Sequence, residues 1–223
     1  MTGGYRAAVT EPHLQPRRRF HQQLDEIDAK VRRLFALVSE SVAASTDALL
    51  AGDAEAAREL AEQDRLVDML EVDLEQVAER ELLLETPMAG DMRYLVSVLR
   101  VVPELERSGD LAEHIAQRAA TGLALRLTPA VRGLLEQMGT ICVELWRAAA
   151  DAWVERDRDA AAALDTADDR LDDLHDQLST ELETADIALA DALQTTLVAR
   201  FYERLGDHAV HVTERIRYLA DGS

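Results

Sequence analysis

The sequence predicts an all-α protein built as two tandem, pseudo-symmetric three-helix bundles. Three observations lead there. Ten glycines and five prolines in 223 residues are too few for a turn-rich sheet protein. Apolar residues recur at three- and four-residue steps over long stretches, the period of one helix face. The second half of the chain also repeats the first, as an internal duplication does.

Residues 1–16 carry Gly3, Gly4, Pro12 and Pro16 without periodicity and read as a flexible N-terminal tail. The basic run Arg17-Arg18-Arg19 then opens the first helix as a solvated start. Leu24, Ile27, Val31, Leu34, Val38, Val42 and Leu49 form its seam, and Gly52-Asp53 ends it and caps the next. Leu60, Val67, Leu70, Leu74, Val77 and Leu84 mark a second helix, stopped at Thr86-Pro87. A third is expected from about Asp91 to Ala120, with Pro103 inside it as a kink or a local break in hydrogen bonding.

Thr128-Pro129 starts a fourth helix reaching about Arg156, followed by a fifth over Arg158 to Thr184 and a sixth over Ile187 to Ala220. A shift of 104 lays Asp53 on Asp157, Leu60 on Leu164, Asp64 on Asp168 and Asp68 on Asp172. A shift of 97 lays Glu106-Arg107-x-Gly109-Asp110 on Glu203-Arg204-x-Gly206-Asp207. The repeats are therefore drawn at 17–122 and 123–223.

Forty-three acidic residues against 24 basic ones leave a net charge of −19, which repels phosphate backbones and disfavours nucleic acid as a partner. The single cysteine, Cys142, excludes an intrachain disulfide and reads as a small buried hydrophobe. No run of 18 apolar residues occurs, and the N-terminus lacks the apolar stretch of a signal peptide. A soluble, cytoplasmic protein, not an integral membrane one, is the expectation.

The chemical signal is a set of carboxylate pairs at i, i+4: Asp64/Asp68 and Glu106/Asp110 in the first repeat, Asp168/Asp172 and Glu203/Asp207 in the second. On a helix this spacing sets both carboxylates on one face, at a cost of about 0.2–0.5 kcal/mol per like-charged pair unless a cation compensates. Two such helices packed together offer four oxygens to one point, a donor set for Mg²⁺, Ca²⁺ or Mn²⁺, with iron where His114 or His211 joins. Duplicated solvated faces would give the same pattern. Gly109 and Gly206 inside helices imply close backbone approach, from tight packing or from a ligand. Arg107 and Arg204 read as charges that neutralise nearby carboxylates.

The sequence holds no Gly-rich phosphate loop, nucleophile elbow or HExxH, so no enzymatic activity is expected. The alternative is a metal-dependent enzyme or storage bundle of ferritin-like type. Such a protein needs two Glu-x-x-His elements, and the nearest match is Asp172-Asp173-Leu174-His175, alone and with the shorter acid.

Pro87-Met88-Ala89-Gly90-Asp91-Met92-Arg93, Glu106-Arg107-Ser108-Gly109-Asp110 and Glu203-Arg204-Leu205-Gly206-Asp207-His208-Ala209 resemble the PhoU family over about residues 20–220. The resemblance implies two three-helix bundles whose (Glu/Asp)xxxD motifs bind metal ions or clusters. They match Asp64/Asp68, Glu106/Asp110, Asp168/Asp172 and Glu203/Asp207 here, with metal identity open between divalent and iron-type ions. It also implies a cytoplasmic negative regulator of the phosphate-starvation response. That regulator would link the ATPase of a phosphate ABC transporter to a sensor histidine kinase. A homodimer through an exposed apolar seam is a further expectation. Pro103, Arg17-Arg18-Arg19 and the Ala- and Thr-rich seam of the sixth helix depart from the family pattern.

Overall fold

The computed structural model describes residues 14–85 and 87–221. Among the described residues the chain forms six α-helices and one 3-10 turn, with no strand. They are α1 (Leu14–Ala51), α2 (Ala54–Leu84), α3 (Ala89–Ala119), a 3-10 turn (Leu123–Arg126), α4 (Pro129–Glu155), α5 (Ala160–Thr184) and α6 (Leu189–Asp221). Most of the segment expected as a tail, residues 1–13, lies outside the described residues. Helix α1 is already formed at Leu14, and Arg17, Arg18 and Arg19 lie exposed in its first turns.

Local chemistry sets the helix ends. Asp53 caps α2, its side chain accepting from the backbone N–H groups of Glu55 and Ala56. Thr128 does the same for α4 through Val131 N–H, with Pro129 at the first helical position. Gly52 takes a left-handed φ of 69° at the end of α1, and in the second repeat Arg156 takes the matching position at φ 54°. Helix α3 runs through Pro103 as one element.

Helices α1, α2 and α3 form one bundle and α4, α5 and α6 the other. The bundles join through α1 against α4 and α3 against α6, which leaves α2 and α5 on opposite outer sides. The core is one continuous cluster. At the junction Phe35 of α1 packs on Trp146 and Trp153 of α4, with ring centroids 6.5 and 5.9 Å apart. Tyr202 of α6 reaches across to hydrogen-bond Thr46 of α1 at 3.0 Å. The Cys142 thiol is fully buried and donates to the Tyr202 carbonyl, the inert role its composition suggested. Helix α1 is long and apolar enough to cross a membrane by composition alone. Its seam residues Ile27, Val31, Leu34, Val38, Val42 and Leu49 nevertheless face the protein core.

Candidate functional site: two carboxylate clusters

Each bundle has one acidic cluster, between its outer helix and its third helix. In the first, α2 supplies Asp64 and Asp68 and α3 supplies Glu106 and Asp110. One oxygen each from Asp64, Asp68 and Asp110 lies within 4.8 Å of the others. Burial and the neighbouring charges of Asp68, Asp110 and Glu113 push the Asp64 carboxyl up to about 6. Burial, then Asp110, Glu71, Asp68 and Asp64, push Glu106 up to about 7. Glu71 and Glu113 thus belong to this cluster although neither is part of a predicted pair, and burial with Glu75 and Asp68 raises Glu71 as well. Their signal in the sequence was helical phase: Glu71 is three residues beyond Asp68, and Glu113 three beyond Asp110.

The second cluster joins Asp168 and Asp172 of α5 to Glu203 and Asp207 of α6. Burial first, then Asp172 and Asp207, push Asp168 up to about 6. Burial, Glu203 and Asp207 raise Asp172. Asp168 Oδ1 and Glu203 Oε2 are buried without any hydrogen-bond partner. Such orphaned acceptors cost free energy unless a cation or a proton meets them. Arg200 pairs with the other Glu203 oxygen.

The duplication is imperfect at one informative place. The 104-residue shift lays Glu71 on His175, and His175 Nε2 lies 4.0 Å from Glu203 Oε2. The imidazole beside a carboxylate cluster is therefore His175, correcting the expectation for His114 and His211. His114 instead stacks on Phe201 at 5.4 Å between centroids, and His211 lies with Glu104 and His208. Arg107 pairs with Glu104 at 2.8 Å and its charge also reaches Glu71.

The repeated glycines have a specific task. A Cβ at Gly109 would stand 3.0 Å from Asp64 Oδ1 and 3.2 Å from Val67 Cγ1. At Gly206 it would overlap Asp168 Oδ1 outright and meet Leu171 Cδ2 at 2.8 Å. In both repeats a bare backbone makes room for the first acid of the facing pair.

Tandem three-helix bundles, each with acids from two facing helices and a glycine beneath them, define a class of duplicated helical proteins with paired oxygen-donor clusters. The PhoU domain matches residues 31–119 and 135–216, and the chain belongs to the PhoU family. It is 33% identical over 207 residues to the phosphate-specific transport system accessory protein PhoU homolog 2 of Mycobacterium tuberculosis, covering 92% of this chain and 97% of that one. A PhoU homolog of Aquifex aeolicus, also named a phosphate-specific transport system accessory protein, is 33% identical, with 90% and 92% covered. The crystal structure of PhoU from Pseudomonas aeruginosa superposes with a TM-score of 0.86 at 26% identity, covering 92% of this chain and all of that one.

Proposed function

We propose that this protein is a phosphate-transport accessory protein that acts as a negative regulator of the phosphate-starvation response. It would work in the cytoplasm as a metal-binding adaptor between the ATPase of a phosphate ABC transporter and a sensor histidine kinase, turning over no substrate. Family membership and the names of the relatives support the phosphate-transport setting. A second copy of the chain is a further proposed partner.

The observation that carries the metal-binding part is the pair of crowded carboxylate clusters, with Asp168 Oδ1 and Glu203 Oε2 buried and without a hydrogen-bond partner. Asp64, Asp68, Glu106 and Asp110 would hold one cation, with Glu71 and Glu113 beside them. Asp168, Asp172, Glu203 and Asp207 would hold another, with His175. The first donor set is all oxygen and suits Mg²⁺, Mn²⁺ or Ca²⁺, whereas an imidazole opens the second to iron-type ions. A bound cation would neutralise the crowded charge. The chain's own residues place the acids, and Gly109 and Gly206 keep the facing helices close enough to share them. With no Glu-x-x-His element in the chain, and only Asp172-x-x-His175 near that pattern, a ferritin-like oxidase gains no support.

The test is alkaline phosphatase expression in a deletion strain grown in ample phosphate. Derepression rescued by the wild-type protein is expected. A Glu106→Ala/Glu203→Ala protein of normal abundance that fails to rescue would tie the carboxylates to signalling. Unchanged expression in the deletion strain would overturn the reading.

A further inference from the structure

A third group of potential ligands lies away from both carboxylate clusters, where the bundles meet. Glu104 of α3 faces His208 and His211 of α6, and one ligand atom from each lies within 4.8 Å of the other two. His208 Nδ1 and Glu104 Oε2 are 2.5 Å apart. Arg107 holds the other Glu104 oxygen at 2.8 Å, which orients the carboxylate. His208 is only 9% exposed, and its Nε2 is buried with no hydrogen-bond partner. With Nδ1 on Glu104, this second imidazole nitrogen is directed away from that carboxylate and is left as an unsatisfied buried group. His211 is exposed, so the group opens to solvent on one side.

The duplication does not account for this group. The 97-residue shift lays Glu104 on Phe201, Leu111 on His208 and His114 on His211. At the equivalent place in the pseudo-symmetric junction the structure therefore has an aromatic contact. His114 stacks on Phe201, and Arg118 stands 5.1 Å above the same ring. One side of the α3–α6 contact is closed by ring stacking, and the other by two imidazoles and a carboxylate.

We propose that Glu104, His208 and His211 form a binding site for a divalent transition-metal ion, which clips the first bundle to the second. Two imidazoles and one carboxylate are the donors that Zn²⁺ accepts when a fourth position is left to water, and the exposed side at His211 provides one. Nitrogen donors separate this site from the all-oxygen cluster around Asp64, because hard cations such as Mg²⁺ favour oxygen. With one ligand from α3 and two from α6, binding would stabilise the contact between bundles. The site is independent of the signalling role proposed above.

The test uses the full chain, stripped with chelator and titrated with Zn²⁺ by calorimetry and with Co²⁺ by visible absorption. His211 is exposed, so His211→Ala should fold, and unchanged circular dichroism checks that it does. The expected result is loss of one Zn²⁺ equivalent, or at least a tenfold weaker Kd, in His211→Ala and in Glu104→Gln, with loss of the associated Co²⁺ d–d bands. His175→Ala should keep that site. Equal stoichiometry and affinity in wild type and His211→Ala would overturn the proposal. So would no Zn²⁺ binding by the wild type, or loss of the bands in His175→Ala alone.

Discussion

Gly206 on α6 sits so close to Asp168 on α5 that any side chain on the glycine would occupy the space of the Asp168 carboxylate. Gly109 and Asp64 repeat the relationship in the first bundle, with more room, since a Cβ there would stand 3.0 Å from Asp64 Oδ1. Helix glycines cost about 1 kcal/mol against alanine, so a pair retained at matching positions reflects the approach of the acids.

Alanine at these two positions should separate them. Gly206→Ala gains helix propensity but must push Asp168 and Leu171 aside, and overpacking of this kind costs about 1–3 kcal/mol. A net loss of about 1–2 kcal/mol in urea denaturation is expected. Gly109→Ala brings a Cβ to 3.0 Å from Asp64 Oδ1 and 3.2 Å from Val67 Cγ1, so both side chains must give by a few tenths of an ångström. It should stay within about 0.5 kcal/mol of wild type, the propensity gain offsetting that shift.

The raised carboxylates set a pH dependence for the metal-free protein. Asp64 and Asp168 at about 6 and Glu106 at about 7 bind protons in the folded chain that the unfolded chain has already released. Between their ordinary values near pH 4 and about pH 7, the native state therefore carries more protons, and stability falls as pH rises. Thermal unfolding of chelator-treated protein should show a higher Tm at pH 5 than at pH 7.5. Glu104, held below the usual range first by its hydrogen bond to His208, has the opposite sign. Its contribution is lost only below its ordinary value of 4.5, outside the measured range of pH 5 to pH 7.5. A Tm that rises from pH 5 to pH 7.5 would contradict the crowding.

Removing charge should imitate a cation. Asp64→Asn and Asp168→Asn each relieve repulsion without changing shape, so both should raise the Tm of metal-free protein at pH 7.5. Mn²⁺ or Mg²⁺ should raise the wild-type Tm more at pH 7.5 than at pH 5, where protons compete for the same oxygens. The double variant should respond less to either ion than wild type does.

Arg156 tests how the second repeat tolerates its departure from the first. It takes the left-handed position that Gly52 takes in the first repeat, at a strain of about 1 kcal/mol. Its guanidinium donates to Asp28 Oδ1 at 2.8 Å and lies 4.5 Å from the centroid of Trp153 and 5.2 Å from that of Tyr94. The same Asp28 oxygen accepts from Trp153 Nε1 at 3.2 Å, tying α1 to α4. Arg156→Gly relieves the backbone but leaves Asp28 half-buried with one cation fewer, so a net loss of about 1–2 kcal/mol is expected in chemical denaturation. A more stable glycine variant would mean that the backbone strain outweighs the network.

Within single helices, most of the architecture was legible. The seam from Ile27 to Leu49 predicts the buried face of α1, and Asp53 and Thr128-Pro129 predict the starts of α2 and α4. The i, i+4 acids and the motif glycines were visible because they obey one period and recur at fixed shifts. Glu71 and Glu113 were in phase with those acids, yet nothing in one helix says which neighbour its flank will meet. The 3-10 turn at Leu123–Arg126 was missed because its conformation rests on contacts beyond its own four residues. Arg126 pairs there with Asp191 of α6, at 2.8 Å.

Length, periodicity and the internal repeat were enough to establish six helices, two bundles and four carboxylate pairs, since each is a property of spacing along one helix. Only the tertiary structure decided that α3 would lie against α6. That packing faces Glu104 with His208 and His211 while His114 meets Phe201, and it leaves His175 as the imidazole beside Glu203. The physical reason is that contacts between helices depend on their relative rotation and axial offset. Those are set by how the whole core packs, through residues such as Phe35, Trp146 and Trp153, and no local period encodes them.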